Sequence, residues 1–349
     1  YTPTGGPMHG MLFLGDRQVA LREFPTPSGP AGRQVVVRMR ASGLCGSDLS
    51  SYRNAPENLG VRARTIAGHE PCGDVVEVGP EARNVRLGDR VMVYHYGGCG
   101  RCAQCLSGWW HMCIHGEVIY GAHAHGGFAD YQLVEDYMCI PMPDGLSYAE
   151  GAACACGTGT AYQAIRRLDV NGRETLAVFG LGPVGLSATM FGAATGARVI
   201  AVDPVPERRA LAEKLGAAQT VDPNDADSIE VVKAATHGLG ADASIDASGI
   251  AEVRTAAVRS VRDWGRSCFV GEGGTVTFEV TNDIMRRQLT LMGSRTFSTI
   301  VLEELGRYVA DRNLPLRELI TARFPLDRIA EAFAAFEAGA PGKFVVTWD

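Results

Sequence analysis

The segment Leu176–Gly185, which reads LAVFGLGPVG, predicts the fold of the second half of the chain. A short apolar run typical of a buried strand leads into Gly180-Leu-Gly182-Pro-Val-Gly185, and a helical apolar pattern begins at Val184. The first glycine permits a tight turn, the second lets the backbone approach a pyrophosphate, and the third lets helix and strand pack closely. The N–H groups at the start of such a helix can bind phosphates.

Asp203 ends the next predicted strand, 18 residues after Gly185. A carboxylate at this place accepts hydrogen bonds from the ribose hydroxyls of an adenosine. It would also repel a 2′-phosphate, so the segment predicts a dinucleotide site that prefers NAD to NADP. A merely structural turn is the alternative for the glycines alone, but strand, turn, helix and acid together favour the dinucleotide.

Strands and helices alternate through this half of the chain, as in a doubly wound parallel sheet with crossover helices. The predicted strands are Val199–Asp203, Ser244–Asp246 and Ser267–Gly271, and the predicted helices are Val184–Thr195, Pro206–Leu215 and Ala251–Asp263. The first 150 residues are instead β-rich, with predicted strands at Val35–Arg40, Asp74–Val78 and Arg90–Tyr94. Two amphipathic helices and a strand near Phe344–Thr347 follow residue 295. The 349 residues are therefore expected to form two domains of α/β and β-rich type.

Composition and charge argue against two classes of protein. The net charge is −6 without a long basic run, which disfavours a nucleic-acid partner. Thr175–Ala197 is uncharged for 23 residues, the length of a membrane span, but its five glycines and one proline favour a buried strand, turn and helix. Tyr1–Pro7 lacks the apolar core of a secretory signal and is expected to be a flexible extension or a segment foreign to the native chain.

Four cysteines, Cys99, Cys102, Cys105 and Cys113, lie within fifteen residues. They are too closely spaced for a disulfide scaffold in a chain of this length, and they suit a metal site in a reducing compartment such as the cytoplasm. Four thiolates predict a tetrahedral zinc with no open position, hence a structural site that performs no chemistry. Four buried free thiols are the alternative, which the regular spacing disfavours.

Two further motifs, Cys45-Gly-Ser47-Asp48 and Gly68-His69-Glu70, complete the pattern. Together with the four cysteines and the glycine turn, they resemble the zinc-containing medium-chain dehydrogenases, a family that includes alcohol, sorbitol and threonine dehydrogenases. The resemblance covers nearly the whole chain and implies a GroES-like catalytic domain, residues 1–157 and 296–349, and a Rossmann NAD-binding domain, residues 158–295. Further matches are Leu87-Gly-Asp-Arg-Val91, Gly127-Phe-Ala-Asp-Tyr131 and Arg323-Phe-Pro-Leu326.

The resemblance implies a catalytic zinc bound by Cys45, His69 and Cys156. Cys156 precedes Gly-Thr-Gly-Thr160, as the third ligand in the family precedes the threonine that contacts nicotinamide. Cys154 is the alternative at this position, although the spacing to Thr160 favours Cys156.

Other roles also follow from the resemblance. Sorbitol-type members use the glutamate after the histidine, so Glu70 is a second candidate for the third ligand, and exchange between the two ligands during turnover stays open. Asp48 is expected to orient the histidine ligand, with capping of the following helix as the alternative. Ser47 matches the hydroxyl that relays the alcohol proton. Lys343 matches a basic residue near the pyrophosphate, and Arg208 is placed to reach the adenosine ribose, with a solvated surface residue as the alternative for each.

The chain departs from the family pattern at two positions. Relatives often carry histidine where this chain has Ser50, and Gly46 stands where some alcohol dehydrogenases have a phosphate-binding arginine.

His95 matches a position that lines the substrate pocket, which favours a polar secondary alcohol over ethanol-like substrates. Further candidates for the pocket are Ser50, Tyr96, Arg53 and Arg295.

The expected activity is reversible transfer of hydride from a secondary alcohol or polyol to NAD, giving a ketone or aldehyde. An open zinc would polarise the substrate oxygen and the nicotinamide would accept the hydride. The alternatives are a zinc-free quinone or enoyl reductase and a non-catalytic relative that binds NAD and zinc. The resemblance also implies a homodimer or homotetramer joined through edge strands, for which Ser267–Gly271 and Thr275–Val280 are candidates.

Overall fold

A computed structural model describes residues 6–348. Most of the predicted N-terminal extension lies outside the described residues, and Pro7 begins the first strand. The strands of the described chain are β1 (Pro7–Gly15), β2 (Gln18–Pro25), β3 (Gln34–Gly43), β4 (Pro71–Val78), β5 (Arg90–Val93), β6 (Tyr96–Gly97), β7 (Val118–Ile119), β8 (Tyr131–Glu135), β9 (Cys139–Pro141), β10 (Thr175–Phe179), β11 (Arg198–Val202), β12 (Gln219–Val221), β13 (Ala241–Asp246), β14 (Val261–Phe269), β15 (Thr290–Gly293), β16 (Ile320–Pro325) and β17 (Lys343–Thr347).

The helices lie mostly in the second half of the chain. Two single π-helical turns, Cys154–Thr158 and Val280–Met285, accompany them. The α-helices of the described chain are α1 (Asp48–Arg53), α2 (Ala103–Leu106), α3 (Tyr148–Ala153), α4 (Gly159–Leu168), α5 (Pro183–Ala194), α6 (Pro206–Lys214), α7 (Ser228–Ala235), α8 (Ala251–Ser260), α9 (Thr299–Asp311), α10 (Leu316–Leu319) and α11 (Ile329–Glu337).

The chain divides into two compact units by its internal contacts. The first comprises the described residues up to Gly159, Phe297–Asn313 and the residues from Ile320 onward; the second comprises Thr160–Thr296 and Leu314–Leu319. The short helix α10 thus belongs to the second unit, where it packs on α5. The predicted domain boundaries near residues 157 and 296 treated this helix as part of the first domain.

The second unit is built on a six-stranded parallel sheet in the order β12-β11-β10-β13-β14-β15. This is the order of a doubly wound sheet, whose direction of winding reverses between β10 and β13, so the predicted fold class is confirmed. Apolar side chains such as Phe179, Ile200 and Val232 are buried in its core. Thr175–Ala197 therefore forms a strand, a turn and a helix within this unit. No helix among residues 6–348 has the length and apolarity needed to cross a membrane.

Two element predictions for this unit are wrong. Helix α8 ends at Ser260, whose hydroxyl donates to the carbonyl oxygen of Ala257 at 2.9 Å, and residues 261–263 begin β14. Thr275–Val280 is not a strand, because it pairs with no strand of residues 6–348 and Val280 already begins the π-helical turn Val280–Met285.

The prediction of an edge at Ser267–Gly271 is also wrong. Strand β14 has neighbours on both sides, since it pairs with β13 and with β15. Ser267 is buried and its hydroxyl lies 2.9 Å from that of Ser244 on the neighbouring strand. Within the described residues, the edge of the sheet on this side is β15, Thr290–Gly293.

The first unit contains a seven-stranded sheet and a separate hairpin of β1 and β2. The sheet has the order β16-β17-β3-β4-β5-β9, and β8 pairs with β3. Its aromatic core includes Phe13, Phe128 and Phe333, with ring centroids 5.5 to 6.0 Å apart. Strand β17 pairs with β3 near Gly43, so Lys343 at the start of β17 lies beside the segment that leads to Cys45.

Candidate metal centres and cofactor site

Cys45 lies in the turn between β3 and α1, where Asp48 orders the backbone. Asp48 is buried, and its Oδ2 accepts a hydrogen bond from the N–H of Cys45 at 2.9 Å. Its Oδ1 lies 3.1 Å from Nδ1 of His69. Asp48 is the first residue of α1, and the N-cap position before it is occupied by Ser47 without a side-chain cap bond. The carboxylate therefore orients the histidine and does not cap the helix.

His69 enters the same region because of a tight turn before β4. Gly68 has a φ of +91°, and a Cβ at this residue would lie 2.6 Å from the backbone nitrogen of Phe128, so only glycine fits there. With Nδ1 facing Asp48, the Nε2 atom of His69 faces the opposite way and lies 3.4 Å from Oγ of Ser47.

The structure brings four donor side chains together in the first unit. Ligand atoms of Cys45, His69, Glu70 and Cys156 all lie within 4.8 Å of one another. Cys156 reaches this group from the π-helical turn Cys154–Thr158, whereas Cys154 is buried outside it. Two thiols, an imidazole and a carboxylate are a donor set that suits zinc, so the residues present fit the expected metal.

The protonation of this catalytic cluster, defined as Cys45, His69, Glu70 and Cys156, is strongly perturbed. Hydrogen bonding with Cys156 lowers the pKa of Cys45 well below its usual value, against the effect of burial. Burial acts to lower the pKa of His69, but the carboxylate of Asp48 outweighs it and the pKa is raised well above its usual value. The metal-free cluster thus favours a Cys45 thiolate beside a cationic imidazole, and a metal ion must compete with that proton.

Glu70 and Lys343 form an ion pair inside the first unit. Their exposures are 0% and 1%, and Nζ of Lys343 donates to Oε1 of Glu70 at 2.5 Å and to the carbonyl oxygen of Leu44 at 2.7 Å. A Cβ on Gly43 would overlap Oε2 of Glu70, so this glycine leaves the space that the carboxylate occupies. Burial raises the pKa of Glu70 to about 8, opposed by the charge of Lys343.

The pair gives Lys343 two buried oxygen partners. The role near the pyrophosphate expected for Lys343 stays a prediction, and in the structure its ammonium group is directed to these two oxygens. Its position within the apolar strand KFVVT explains this, because a charge there requires a buried partner.

His95 lies against the catalytic cluster. It is 2% exposed, and its ring centroid lies 5.0 Å from that of His69 and 4.3 Å from that of Tyr96. Burial, and then the charge of His69, hold the pKa of His95 well below its usual value, so the ring is neutral near pH 7. Within the described residues its Nδ1 has no hydrogen-bond partner.

The remaining candidates for the pocket are an exposed serine and two arginines that form ion pairs. Ser50 is exposed on α1, one turn after Ser47. Arg53 pairs with Glu337 at 2.7 Å. Arg295 belongs to the second unit, where it pairs with Glu272 at 3.3 Å. Each of the two arginines thus pairs with an acidic neighbour, and their place in a substrate pocket stays a prediction.

The four cysteines of the second candidate site converge between β6 and β7. Their sulfur atoms lie within 4.8 Å of one another, and four sulfurs fit a closed tetrahedral zinc. The N–H of Cys99 donates to Sγ of Cys113, at 3.4 Å. Backbone N–H groups of Cys105 and Ile114 lower the pKa of Cys102 to about 6, which favours its thiolate form.

In the second unit the three glycines of the turn have the conformations that a dinucleotide site needs. Gly180 has a φ of +85°, and a Cβ on Gly185 would overlap the carbonyl oxygen of Gly180. Nothing lies within 4 Å of a Cβ placed on Gly182, which leaves open space beside the turn. Helix α5 begins directly after it, with Val184 in the first turn and no side-chain cap on its N–H groups.

Asp203 lies beside this turn and is 3% exposed. Its Oδ2 accepts a hydrogen bond from the N–H of Leu181 at 2.7 Å, and its Oδ1 accepts one from the N–H of Val205 at 2.9 Å. A guanidinium nitrogen of Arg208 lies 3.7 Å from Oδ2. Thr160, at the start of α4, also belongs to this unit.

Comparison with known proteins defines the class to which this arrangement belongs. Family models described as "Alcohol dehydrogenase GroES-like domain" and "Zinc-binding dehydrogenase" match residues 31–144 and 183–310. The chain therefore belongs to the zinc-dependent medium-chain alcohol dehydrogenase family, and it is an oxidoreductase of that family.

Relatives from bacteria cover nearly its full length. The uncharacterized zinc-type alcohol dehydrogenase-like protein YphC of Escherichia coli (strain K12) is 39% identical over 96% of this chain and 97% of its own. An L-threonine 3-dehydrogenase of Symbiobacterium thermophilum is 30% identical over 94% of each chain. A solved structure described as an NAD-dependent alcohol dehydrogenase is similar with a TM-score of 0.85 and 27% identity, covering 98% of this chain and 100% of that one.

Sequence reasoning missed two features of the catalytic cluster. The first is the pairing of Glu70 with Lys343, which are 273 residues apart. The sequence feature that could have indicated this pair is a lysine at the start of an otherwise apolar strand. The second is the π-helical turn that directs Cys156 to the cluster, for which the segment Cys-Ala-Cys-Gly-Thr158 offers no signal.

Proposed function

We propose that this protein is an NAD-dependent dehydrogenase that oxidises a secondary alcohol or polyol at a zinc held by the catalytic cluster. The observation that carries the proposal is the convergence of Cys45, His69, Glu70 and Cys156 on one point. The closed four-cysteine site would hold a second, structural zinc. A zinc-free reductase, the alternative, would require neither of the two groups of metal donors.

The zinc would act as a Lewis acid on the substrate oxygen, and NAD would accept the hydride. Asp48 holds Nδ1 of His69, which directs Nε2 toward the cluster and fixes the orientation of this ligand. Oγ of Ser47 lies 3.4 Å from that Nε2, next to the place where the substrate hydroxyl would lie. Ser47 is exposed, so its hydroxyl can accept the substrate proton and pass it on toward solvent.

Two further residues support finer parts of the proposal. His95 is neutral and borders the cluster, so it can bind a polar substrate by hydrogen bonding but cannot hold an anion by charge. Asp203 supports NAD over NADP, because it accepts two backbone N–H groups beside the glycine turn and so keeps a carboxylate where a 2′-phosphate would lie.

Metal analysis combined with an NADH absorbance assay tests the proposal. The purified protein should contain two zinc ions per chain and oxidise members of a panel of secondary alcohols and polyols. Mild chelation should remove one zinc together with the activity while the fold persists, because the catalytic site is open to ligands and the other is closed.

Two matched variants assign the sites. Cys156→Ser should lose the labile zinc and the activity at an unchanged thermal midpoint. Cys102→Ser should lose the other zinc and unfold at lower temperature. A fully active protein with one zinc or none would contradict the two-site proposal.

A further inference from the structure

The second unit contains a buried ion pair that neither metal centre uses. Asp246 ends β13 and is fully buried, and Arg254, on α8, is 9% exposed. Nε of Arg254 lies 3.1 Å from Oδ2 of Asp246. Removal of two charges from water often costs as much as their attraction returns, so such a pair is weak evidence for stability. Its hydrogen bonds indicate a different role.

The ion pair joins two loops at the carboxyl edge of the parallel sheet, the β13 loop (residues 247–250) and the β14 loop (residues 271–274). Oδ1 of Asp246 accepts hydrogen bonds from the N–H and the hydroxyl of Ser248 at 2.9 and 2.7 Å, and from the N–H of Gly249 at 3.2 Å. The guanidinium group donates to the carbonyl oxygens of Gly271 at 2.6 Å and Gly274 at 3.1 Å. One pair thus fixes both loops.

The two loops are in direct backbone contact. A Cβ on Gly249 would overlap the carbonyl oxygen of Glu272, and a Cβ on Gly271 would overlap the backbone nitrogen of Gly249. Gly249 and Gly274 have φ values of +75° and +62°, which side chains disfavour. Because the backbones pack this closely, a shift of one loop on loss of the ion pair is transmitted directly to the other.

The β13 loop also borders the glycine turn. A Cβ on Gly180 would lie 3.0 Å from Cβ of Ser248 and 3.1 Å from its nitrogen. Ligands of open α/β sheets bind outside the carboxyl ends of the strands, at the point where the winding reverses. That point lies between β10, which leads into the glycine turn, and β13, which leads into the β13 loop.

We propose that Arg254 is a positioning residue for the dinucleotide, acting with Asp246 to hold the β13 and β14 loops at the spacing that the bound dinucleotide requires. It does so through the loops and without contact to the ligand. The inference rests on the proposed function for the identity of the ligand, a nicotinamide dinucleotide.

A double variant separates positioning from stability. Asp246→Leu combined with Arg254→Met removes both charges, so that no unpaired charge stays buried, and NADH affinity is measured well below the thermal midpoint of the variant. NADH affinity, measured by fluorescence titration, should fall about tenfold or more, because the loops lose their preorganised spacing. Zinc content should be unchanged.

A second ion pair of the same unit provides the matched control. Arg262 and Asp242 lie 2.6 Å apart near the amino ends of β14 and β13. Asp242→Leu combined with Arg262→Met should leave NADH affinity unaltered. The variant Arg254→Lys keeps the charge but loses the forked donors, and it should also weaken NADH binding about tenfold.

The outcomes are distinct. Unchanged NADH affinity in a folded double variant would overturn the role of Arg254. If the double variant does not fold, Arg254→Lys decides: weaker NADH binding at an unchanged thermal midpoint supports the role, and equal binding overturns it. A wild-type protein that binds no NADH would refute the proposed cofactor, and this role with it.

Discussion

Replacement of Lys343 by methionine tests the buried ion pair of the first unit. The substitution keeps most of the side-chain volume but removes the ammonium group that Glu70 and the carbonyl oxygen of Leu44 accept from. Once ionised, Glu70 would then be a buried carboxylate without a counter-charge. Loss of one partner of a buried pair costs about 3–5 kcal/mol. For a unit of this size that corresponds to a fall in thermal midpoint of roughly 6–20 °C.

The loss should depend on pH, with a sign that the pKa of Glu70 determines. Burial already raises this pKa to about 8, and Lys343 opposes the rise. In Lys343→Met no lysine charge opposes the effect of burial on the pKa of Glu70. The folded variant therefore keeps Glu70 protonated at pH values at which the unfolded chain has released that proton. Below about pH 8 both folded proteins hold this proton, so the stability of the variant relative to wild type should decrease as pH rises above about 8 and recover at lower pH.

Thermal unfolding of the metal-free proteins at several pH values is the measurement, with NADH titration alongside. The double variant Glu70→Gln, Lys343→Met removes both charges and should recover most of the lost stability. A single variant of wild-type stability that binds NADH weakly would refute this reasoning and restore the expected contact of Lys343 with the pyrophosphate.

Three more expectations follow from the structure. Asp203→Gly should weaken NAD binding and reduce the preference for NAD over NADP, measured as the ratio of the kcat/KM values for the two cofactors. Equal kcat/KM values of the wild type with NAD and NADP would contradict the role of Asp203. Oxidation should be fastest at alkaline pH, because Ser50 cannot act as a base. With a deuterated substrate, Ser50→His should raise the oxidation rate near pH 7 more than near pH 9, by up to ~10²-fold. Identical pH profiles of the oxidation rate in the two proteins would show that position 50 is not on the proton path. The chain should form a homodimer or homotetramer through the open edge at β15; Leu291→Pro should give monomers by light scattering, and a wild-type monomer at micromolar concentration would exclude this contact.

Local patterns in the sequence predicted most of the fold and the four-cysteine group, and the family resemblance predicted the catalytic metal donors. The glycine turn and the four cysteines are short motifs whose conformations depend on neighbours a few residues away. Asp48 and His69 were recognised through family resemblance, and the structure places their side chains in contact.

The features that sequence did not predict depend on pairings between distant segments. Ser267–Gly271 has the composition of an edge or an interior strand alike, and only the added strand β15 makes it interior. Lys343 matches a cofactor-binding position in the sequence, but the register of β17 on β3 buries it beside Glu70. The end of α8 carries neither glycine nor proline, so its boundary could not be located.

The position of β17 between β16 and β3 has a consequence for biosynthesis. Strands β16 and β17 leave the ribosome only after the whole parallel sheet of the second unit. Until then the earlier strands of the first unit have an unpaired edge at β3, and Glu70 lacks the ammonium group of Lys343. The four-cysteine segment, in contrast, is continuous in the chain and can acquire its metal early. We therefore expect the second unit to fold before the first is complete, and the catalytic cluster to assemble last.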